Sequence, residues 1–192
     1  MRVADRRRET TETQVSVKLN LDGTGVSKIR TGVKYLDHLL TSFSKHSLID
    51  LEITAKGDLT HHIVEDVAIV LGETLDEALS DKAGIYRFGY SYVVMDDSLS
   101  RAVLDCSGRG YAVIEIKLGR SRVEDLPRED AIHFLQTLSQ KAKINLHVQT
   151  LYGDNDHHKL ESVFKALAVA LRTAVSFDPR RGNVKPSSKG AL

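Results

Sequence analysis

The 192-residue chain has no tryptophan, one cysteine, three prolines and two methionines. The single cysteine, Cys106, excludes a disulfide framework within the chain and favours a reducing compartment such as the cytoplasm. Neither sign of charge is in excess, since 27 Lys and Arg face 26 Asp and Glu; this argues against a nucleic-acid-binding or membrane-surface protein. Residues 1–10 lack the apolar core of a secretory signal, and the longest apolar stretches are too short to span a bilayer.

Histidine, in contrast, is well represented. The chain has eight histidines, and four of them form two adjacent pairs, His61-His62 and His157-His158. A single histidine in a helix is most often structural or exposed, so the pairs are the feature that needs an explanation.

Hydrophobic periodicity predicts an alternation of strands and amphipathic helices. Apolar residues at every second position predict strands at 14–21, 48–55, 90–96, 100–106, 111–118 and 143–151. Apolar residues at helical spacing predict helices at 33–46, 61–80, 132–142 and 157–175. The basic segment 178–192 is expected to be irregular, and Asp22-Gly23 to form a hairpin turn.

The second half of the chain repeats the first. His61, His62 and Glu65 recur as His157, His158 and Glu161 at an offset of 96 residues, half the chain length, and His38 recurs as His133. Each half is predicted to be strand, helix, strand, long helix. We therefore expect an α+β fold with pseudo-twofold symmetry, one domain over residues 1–192 made of repeats at roughly 1–95 and 96–192. Consecutive strands are expected to pair antiparallel, with the helices on one side.

The repeated HHxxE pattern predicts metal binding. On a helix, Glu65 lies beside both His61 and His62, while the two rings point about 100° apart and can serve two different places. About 0.02 such motifs are expected per chain of this composition, so two at equivalent positions are not accidental. Imidazole with carboxylate suits Mn, Fe, Ni or Zn.

With His38 and His133 added, six histidines and two glutamates make two sites of three imidazoles and one carboxylate each. Such sites leave positions open for a substrate if the metal prefers six ligands. Of the two remaining histidines, His147 is expected to be structural, and His46 at a helix end could be structural or functional.

Arg87, Arg109 and Lys189 each lie in a short turn context with Ser or Gly neighbours, where a cation beside backbone amides can hold an oxyanion. Cys106, with no evident base nearby, is interpreted as a packing residue.

These elements together resemble the imidazoleglycerol-phosphate dehydratase family over nearly the whole chain. The resemblance is carried by ETQVSVKLNLDGTG (12–25), TGVKYLDHLL (31–40), HHIVEDVAIVLGETLDEAL (61–79), GIYRFG (84–89), LDCSGRGY (104–111), HHKLESVFKALAVALR (157–172) and PSSKG (186–190). The chain departs from the family pattern in a shorter loop before His61, in VMDD (94–97) where the family has PMDE, and in PSSKG for PSTKG.

The resemblance implies a fold like domain 2 of ribosomal protein S5 and a histidine-biosynthesis lyase. This hydro-lyase would convert D-erythro-imidazoleglycerol phosphate to imidazoleacetol phosphate in the cytoplasm. The resemblance also implies two Mn²⁺ per active site and a 24-mer built from trimers, with sites at subunit interfaces. The metal ligands carried over by motif are His38, His61, His62, Glu65, His133, His157, His158 and Glu161.

The resemblance also implies substrate contacts at Glu12, His46, Arg87, Arg109, Ser187, Ser188 and Lys189. A metal-bound imidazolate could expel the hydroxyl and give a diazafulvene-like intermediate. Glu12 is then the first candidate acid/base group and His46 the second, while the cationic residues hold the phosphate. The alternatives are a non-catalytic metal-binding or storage oligomer and a dinuclear metallohydrolase acting on a phosphoester.

Overall fold

Two equivalent units of strands and helices make up the computed structural model, which describes residues 1–190 and Leu192. The first unit contains β1 (Val3–Glu9), β2 (Thr13–Asn20), β3 (Ser27–Arg30), α1 (Lys34–Ser47), β4 (Asp50–Gly57) and α2 (Thr60–Leu79). The second contains β5 (Phe88–Met95), β6 (Ser98–Asp105), β7 (Tyr111–Glu115), a small β8–β9 hairpin (Arg122–Val123, Leu126–Pro127), α3 (Arg128–Lys141), β10 (Asn145–Tyr152) and α4 (Asp156–Val175).

The two four-stranded sheets have the same topology. Their strand orders are β1-β2-β4-β3 and β5-β6-β10-β7. The first three strands of each sheet pair antiparallel, but β3 runs parallel to β4 and β7 runs parallel to β10. The expectation of antiparallel pairing throughout is therefore wrong at this edge of each sheet, because the chain crosses over a helix between those strands.

Helices cover one face of each sheet and also join the two units. In β2, Val15, Val17 and Leu19 are buried while the residues between them face outward, which gives the sheet its apolar inner face. Helices α1 and α2 pack on the first sheet, and α3 and α4 on the second. Across the middle, α1 packs on α4 and α2 packs on α3, so each helix contacts a helix of the other unit.

The duplicated α+β fold is confirmed, with shifts at some boundaries. The α3 helix begins four residues before the predicted start at Ile132, because Pro127 precedes a polar first turn that apolar periodicity does not reveal. The strand predicted from Leu48 begins at Asp50, since Leu48 adopts a left-handed conformation that ends α1. The second unit begins with β5, before the predicted repeat boundary at residue 96.

Strands β1 and β3 are additions to the predicted pattern. Asp22-Gly23 does not close a hairpin, since β2 and β3 both flank β4 rather than each other.

Cys106 is fully buried, and burial raises the pKa of its thiol to about 12, which agrees with a packing role. Among the described residues, no helix is long and apolar enough to cross a bilayer.

Candidate metal centre and active site

The first histidine–carboxylate cluster joins α1 to α4. Glu161 Oε2 lies 3.2 Å from Nε2 of His38 and 3.4 Å from Nε2 of His157. One potential ligand atom from each residue lies within 4.8 Å of the others. His157 and Glu161 share a face of α4 because they are one turn apart, and the packing of α1 on α4 supplies His38.

The second cluster repeats the first between α2 and α3. Glu65 Oε1 lies 3.1 Å from Nε2 of His133, and the rings of His61 and His133 stack with centroids 5.6 Å apart. The potential ligand atoms of His61, Glu65 and His133 again lie within 4.8 Å of one another. Each cluster therefore takes one histidine from one repeat and an HxxxE pair from the other, which the 96-residue offset does not reveal.

The second histidine of each adjacent pair points away from its neighbour's cluster. The ring planes differ by 61° between His61 and His62 and by 89° between His157 and His158. Within one chain the predicted third imidazole is thus absent from both groups, as far as the described residues show. His62 and His158 instead meet acidic side chains on their own side of the helix.

All four histidines of the adjacent pairs share one arrangement, in which Nδ1 faces a carboxylate oxygen. These distances are 2.7 Å for His61 and Asp130, 2.8 Å for His62 and Asp58, 3.2 Å for His157 and Glu124, and 2.5 Å for His158 and Asp97. A neutral imidazole that donates from Nδ1 keeps its Nε2 lone pair for another partner. This carboxylate–histidine arrangement is typical of metal-ligating histidines.

Sequence reasoning missed these four acids. Asp130, Glu124 and Asp97 lie 69, 33 and 61 residues from their histidines, so no local spacing points to them. Asp58 could have been identified from the sequence, because it precedes His62 by four residues, about one helical turn.

Lys165 is a further missed residue, and it balances the charge of the first cluster. Its Nζ lies 2.6 Å from Glu161 Oε1, one helical turn away, while Oε2 of the same carboxylate faces His38 and His157. Burial alone would raise the pKa of Glu161, but Lys165 and His38 outweigh it and lower that pKa. Glu161 is therefore ionised at neutral pH, as a metal ligand must be.

The donor set fits a divalent transition metal. Both clusters present imidazole nitrogens and a carboxylate oxygen at separations that one ion could bridge. The outer carboxylates Asp130 and Glu124 hold the rings of His61 and His157 before any ion binds.

The two acid/base candidates lie at different places. Glu12 is at the tip of the β1–β2 hairpin, with Oε2 3.7 Å from His62 Nδ1 and about half of its side chain exposed. The buried carboxylate of Asp66 on α2 holds this hairpin through the Thr13 hydroxyl and, at 2.9 Å, Arg8. His46 lies in the last turn of α1, where burial and the charge of Lys165 lower its pKa.

The predicted anion-binding residues gather at another corner. Arg87 makes a two-point contact with Asp105, at 2.6 and 3.0 Å, and donates to the Pro186 carbonyl at 2.7 Å, which holds the PSSKG segment. Arg109 lies on an exposed turn near Leu192, since a Cβ on Gly108 would meet the Leu192 backbone at 2.5 Å. Ser187 Oγ accepts the Lys189 amide, and Ser188 is exposed beside it.

Arg87 in this corner is far from the first metal cluster of the same chain. The Arg87 amide donates to the carbonyl of Ala174, near the C-terminal end of α4, while His157 is at its N-terminal end. At about 1.5 Å per residue, the two points are about 25 Å apart along the helix. One chain therefore holds both kinds of group but does not bring Arg87 to the first cluster, and the site assignments stay predictions.

Comparison with known sequences gives one consistent family. A family model described as imidazoleglycerol-phosphate dehydratase matches residues 31–171. The chain is 50% identical over 191 residues to the imidazoleglycerol-phosphate dehydratase of Dehalococcoides mccartyi strain CBDB1, covering 100% of this chain and 97% of the relative.

Solved structures agree with the sequence comparison. The crystal structure of imidazoleglycerol-phosphate dehydratase from Staphylococcus aureus superposes with a TM-score of 0.84 at 35% identity, over 92% of this chain and 99% of that one. The crystal structure of IGPD from Pyrococcus furiosus superposes with a TM-score of 0.85 at 35% identity, over 97% of this chain and 100% of that one.

Proposed function

Since the chain belongs to the imidazoleglycerol-phosphate dehydratase family, and is thus a hydro-lyase of histidine biosynthesis, we propose that its dehydration of D-erythro-imidazoleglycerol phosphate depends on metal. The product is imidazoleacetol phosphate. The observation that carries this proposal is the pair of matching clusters, in which imidazole Nε2 atoms and one carboxylate converge. The two alternative functions, a phosphoester hydrolase and a metal-storage protein, do not agree with this family membership.

The proposed cofactor is two Mn²⁺ per active site, with other divalent transition metals able to substitute. His38, His157 and Glu161 would hold one ion and His61, Glu65 and His133 the other, while His62 and His158 complete the coordination of ions held by other copies of the chain. When bound, the ions would supply Lewis-acid stabilisation of negative charge on the substrate ring.

The remaining residues then have separate tasks in the loss of water. The hydroxyl leaves from the carbon attached to the ring, and the neighbouring carbon gives up a proton, so that an enol forms and becomes the ketone. We assign that proton to Glu12, whose exposed carboxylate lies on a hairpin tip beside His62. His46 is the second candidate. Arg87, Arg109, Ser187, Ser188 and Lys189 hold the phosphate and align the carbon chain.

These assignments require more than one copy of the chain. The first metal cluster and the Arg87 end of the phosphate-binding corner lie at opposite ends of α4, about 25 Å apart, which is longer than the substrate. We therefore propose a homo-oligomer with active sites between subunits, and a 24-mer built from trimers as its form. No nucleic acid or membrane partner is proposed, and the cytoplasmic location stays a prediction.

The outer face of the second sheet supports the oligomer. On β5, Phe88, Tyr90, Tyr92 and Val94 are each more than half exposed. The equivalent face of β1 carries mostly charged residues. An exposed apolar patch of this kind marks a contact surface.

The test is a dehydration assay on chelated protein, with Mn²⁺, Fe²⁺, Ni²⁺ or Zn²⁺ added back singly. We expect activity to disappear on chelation and to return with metal, with loss of substrate and no release of inorganic phosphate. Phosphate release would indicate a hydrolase, and bound metal without turnover would indicate a structural or storage site.

A further inference from the structure

The hairpin tip of each repeat presents a carboxylate to the second histidine of the HH pair. Glu12 immediately precedes β2 and Asp97 immediately precedes β6, and these strands occupy equivalent places in the two sheets. Glu12 is near His62, and Asp97 is in contact with His158. The two repeats differ in how firmly that carboxylate is held.

Asp97 is anchored by four donors that divide between its two oxygens, the weakest being the Ser98 hydroxyl, 3.5 Å from Oδ2. Oδ2 accepts the backbone amides of Asp154 and Asn155, at 2.6 and 3.0 Å. Oδ1 faces Nδ1 of His158 at 2.5 Å. A carboxylate has no proton to donate, so Asp97 accepts from all of these donors. Glu12 is about half exposed and lies 3.7 Å from its histidine.

We propose that Asp97 is a positioning residue, which fixes His158 with its proton on Nδ1 and leaves the Nε2 lone pair for a metal ion. Nε2 lies 3.7 Å from Oδ2 of Asp96, beyond hydrogen-bonding distance. The proposal rests on the proposed role of His158 as a metal ligand. His62 is held by Asp58 in a similar orientation but through a different contact, and this difference makes a sharp test possible.

The division of donors at Asp97 determines what an asparagine does there. In Asp97→Asn the amide oxygen must face the two backbone N–H donors, because an NH₂ group would oppose them. The NH₂ group then points at His158 Nδ1, which can accept it only if the ring proton moves to Nε2. The variant therefore blocks the metal-binding nitrogen while the loop keeps its backbone contacts.

Asp58→Asn is the matched control in the other repeat. Oδ1 of Asp58 accepts both the Leu59 amide, at 2.7 Å, and His62 Nδ1, at 2.8 Å. A single amide oxygen can serve both donors while its NH₂ group faces solvent, since this side chain is about half exposed. His62 is therefore expected to keep its proton on Nδ1. Asp97→Glu, which keeps a carboxylate, is the conservative variant for rescue.

The experiment reads the tautomer directly in metal-free, full-length protein. Magic-angle-spinning NMR of ¹³C,¹⁵N-histidine-labelled protein works at any oligomer size, and spectra are recorded at pH 8.5, about two pH units above the ordinary histidine pKa of about 6.5. His158→Gln and His62→Gln assign the signals. We expect His158 to change from the Nδ1–H to the Nε2–H form in Asp97→Asn, and to keep Nδ1–H in Asp97→Glu and Asp58→Asn.

Calorimetric titration with Mn²⁺ gives the second measurement. Loss of outer-carboxylate support typically weakens metal binding by about 10–100-fold, and we expect this for Asp97→Asn alone. An unchanged tautomer in folded Asp97→Asn would overturn the proposal. A changed tautomer with unchanged Mn²⁺ affinity would also overturn it, by removing His158 from the ligand set. Failure of the wild-type protein to bind Mn²⁺ or to turn over substrate would instead contradict the proposed function, and the tautomer measurement would still stand.

Discussion

Gly72 lies in a close contact between α2 and α3, and Gly72→Ala tests how that contact sets the second metal cluster. A Cβ at this position would lie 2.6 Å from the Cβ of Lys141 and 3.0 Å from the Ala142 nitrogen and the Leu138 carbonyl oxygen. Two of these neighbours are backbone atoms at the end of α3, which cannot rotate away. Ordinary carbon–carbon contact is about 3.5–4.0 Å, so the helices must separate by about 1 Å.

Two effects of opposite sign decide the change in stability. Replacing a glycine inside a helix with alanine stabilises by about 1 kcal/mol. Overpacking a buried contact typically costs about 1–3 kcal/mol. The net expectation is a destabilisation of about 0–2 kcal/mol, and for a chain of this length a fall in Tm of up to about 8 °C.

The separation also reaches the metal cluster. Gly72 is two turns from Glu65 on the same side of α2, and Glu65 meets His133 of α3 at 3.1 Å. A displacement of about 1 Å at a reacting site can cost about 100-fold in rate. We therefore expect Gly72→Ala to weaken one Mn²⁺ site and to lower turnover.

Thermal unfolding of metal-free protein and Mn²⁺ titration followed by electron paramagnetic resonance measure the two effects. Ala168→Gly, at the equivalent position of α4, is the control, because it removes a methyl group and creates no clash. That control should lose stability but keep its metal affinity. A rise in Tm of Gly72→Ala with unchanged Mn²⁺ binding would refute the reasoning.

Three further outcomes are expected. Glu12→Gln should lower turnover by about 10²–10⁴-fold with bound metal unchanged, and full turnover would contradict its acid/base role. Arg87→Lys loses the two-point contact with Asp105 and the hold on Pro186, so KM should rise without loss of metal; an unchanged KM would exclude Arg87 from substrate binding. The Val26 and Thr24 amides lower the pKa of Asp50, so its stabilising contribution is complete above the unfolded pKa of about 3.9 and is lost as pH falls through the folded value. Denaturant unfolding of the metal-free protein between pH 2.5 and 5 should show a flatter pH dependence in Asp50→Asn, and an identical slope would refute this.

The long helices were predictable because their apolar residues and their HHxxE residues both recur at helical spacing. Predicted starts at His61 and His157 agree with α2 and α4 to within one residue. Each helix buries a continuous apolar stripe over five turns, which fixes its period strongly. The HHxxE residues could be placed on one end of each helix for the same reason.

The edge strand β1 left no such signal. In VADRRRE, Ala4 is the buried residue and the others are exposed or charged, so the strand does not alternate. Charged side chains on an edge strand prevent pairing with other chains. They also remove the alternation of apolar and polar residues from which a strand is predicted. The Nδ1 partners were hidden for a different reason, since contacts such as His158 with Asp97 are set by the packing of distant segments.

The exchange of ligands between the repeats follows from symmetry rather than from any single segment. His38 meets Glu161, and His133 meets Glu65, which is the same contact made twice in opposite directions. This reciprocity characterises a twofold interface, where residue i of one copy contacts residue j of the other and the reverse also holds. The duplicated chain is therefore organised as a covalently joined dimer of repeats. Neither repeat alone has both halves of a cluster, so metal binding at either cluster requires that the two repeats dock.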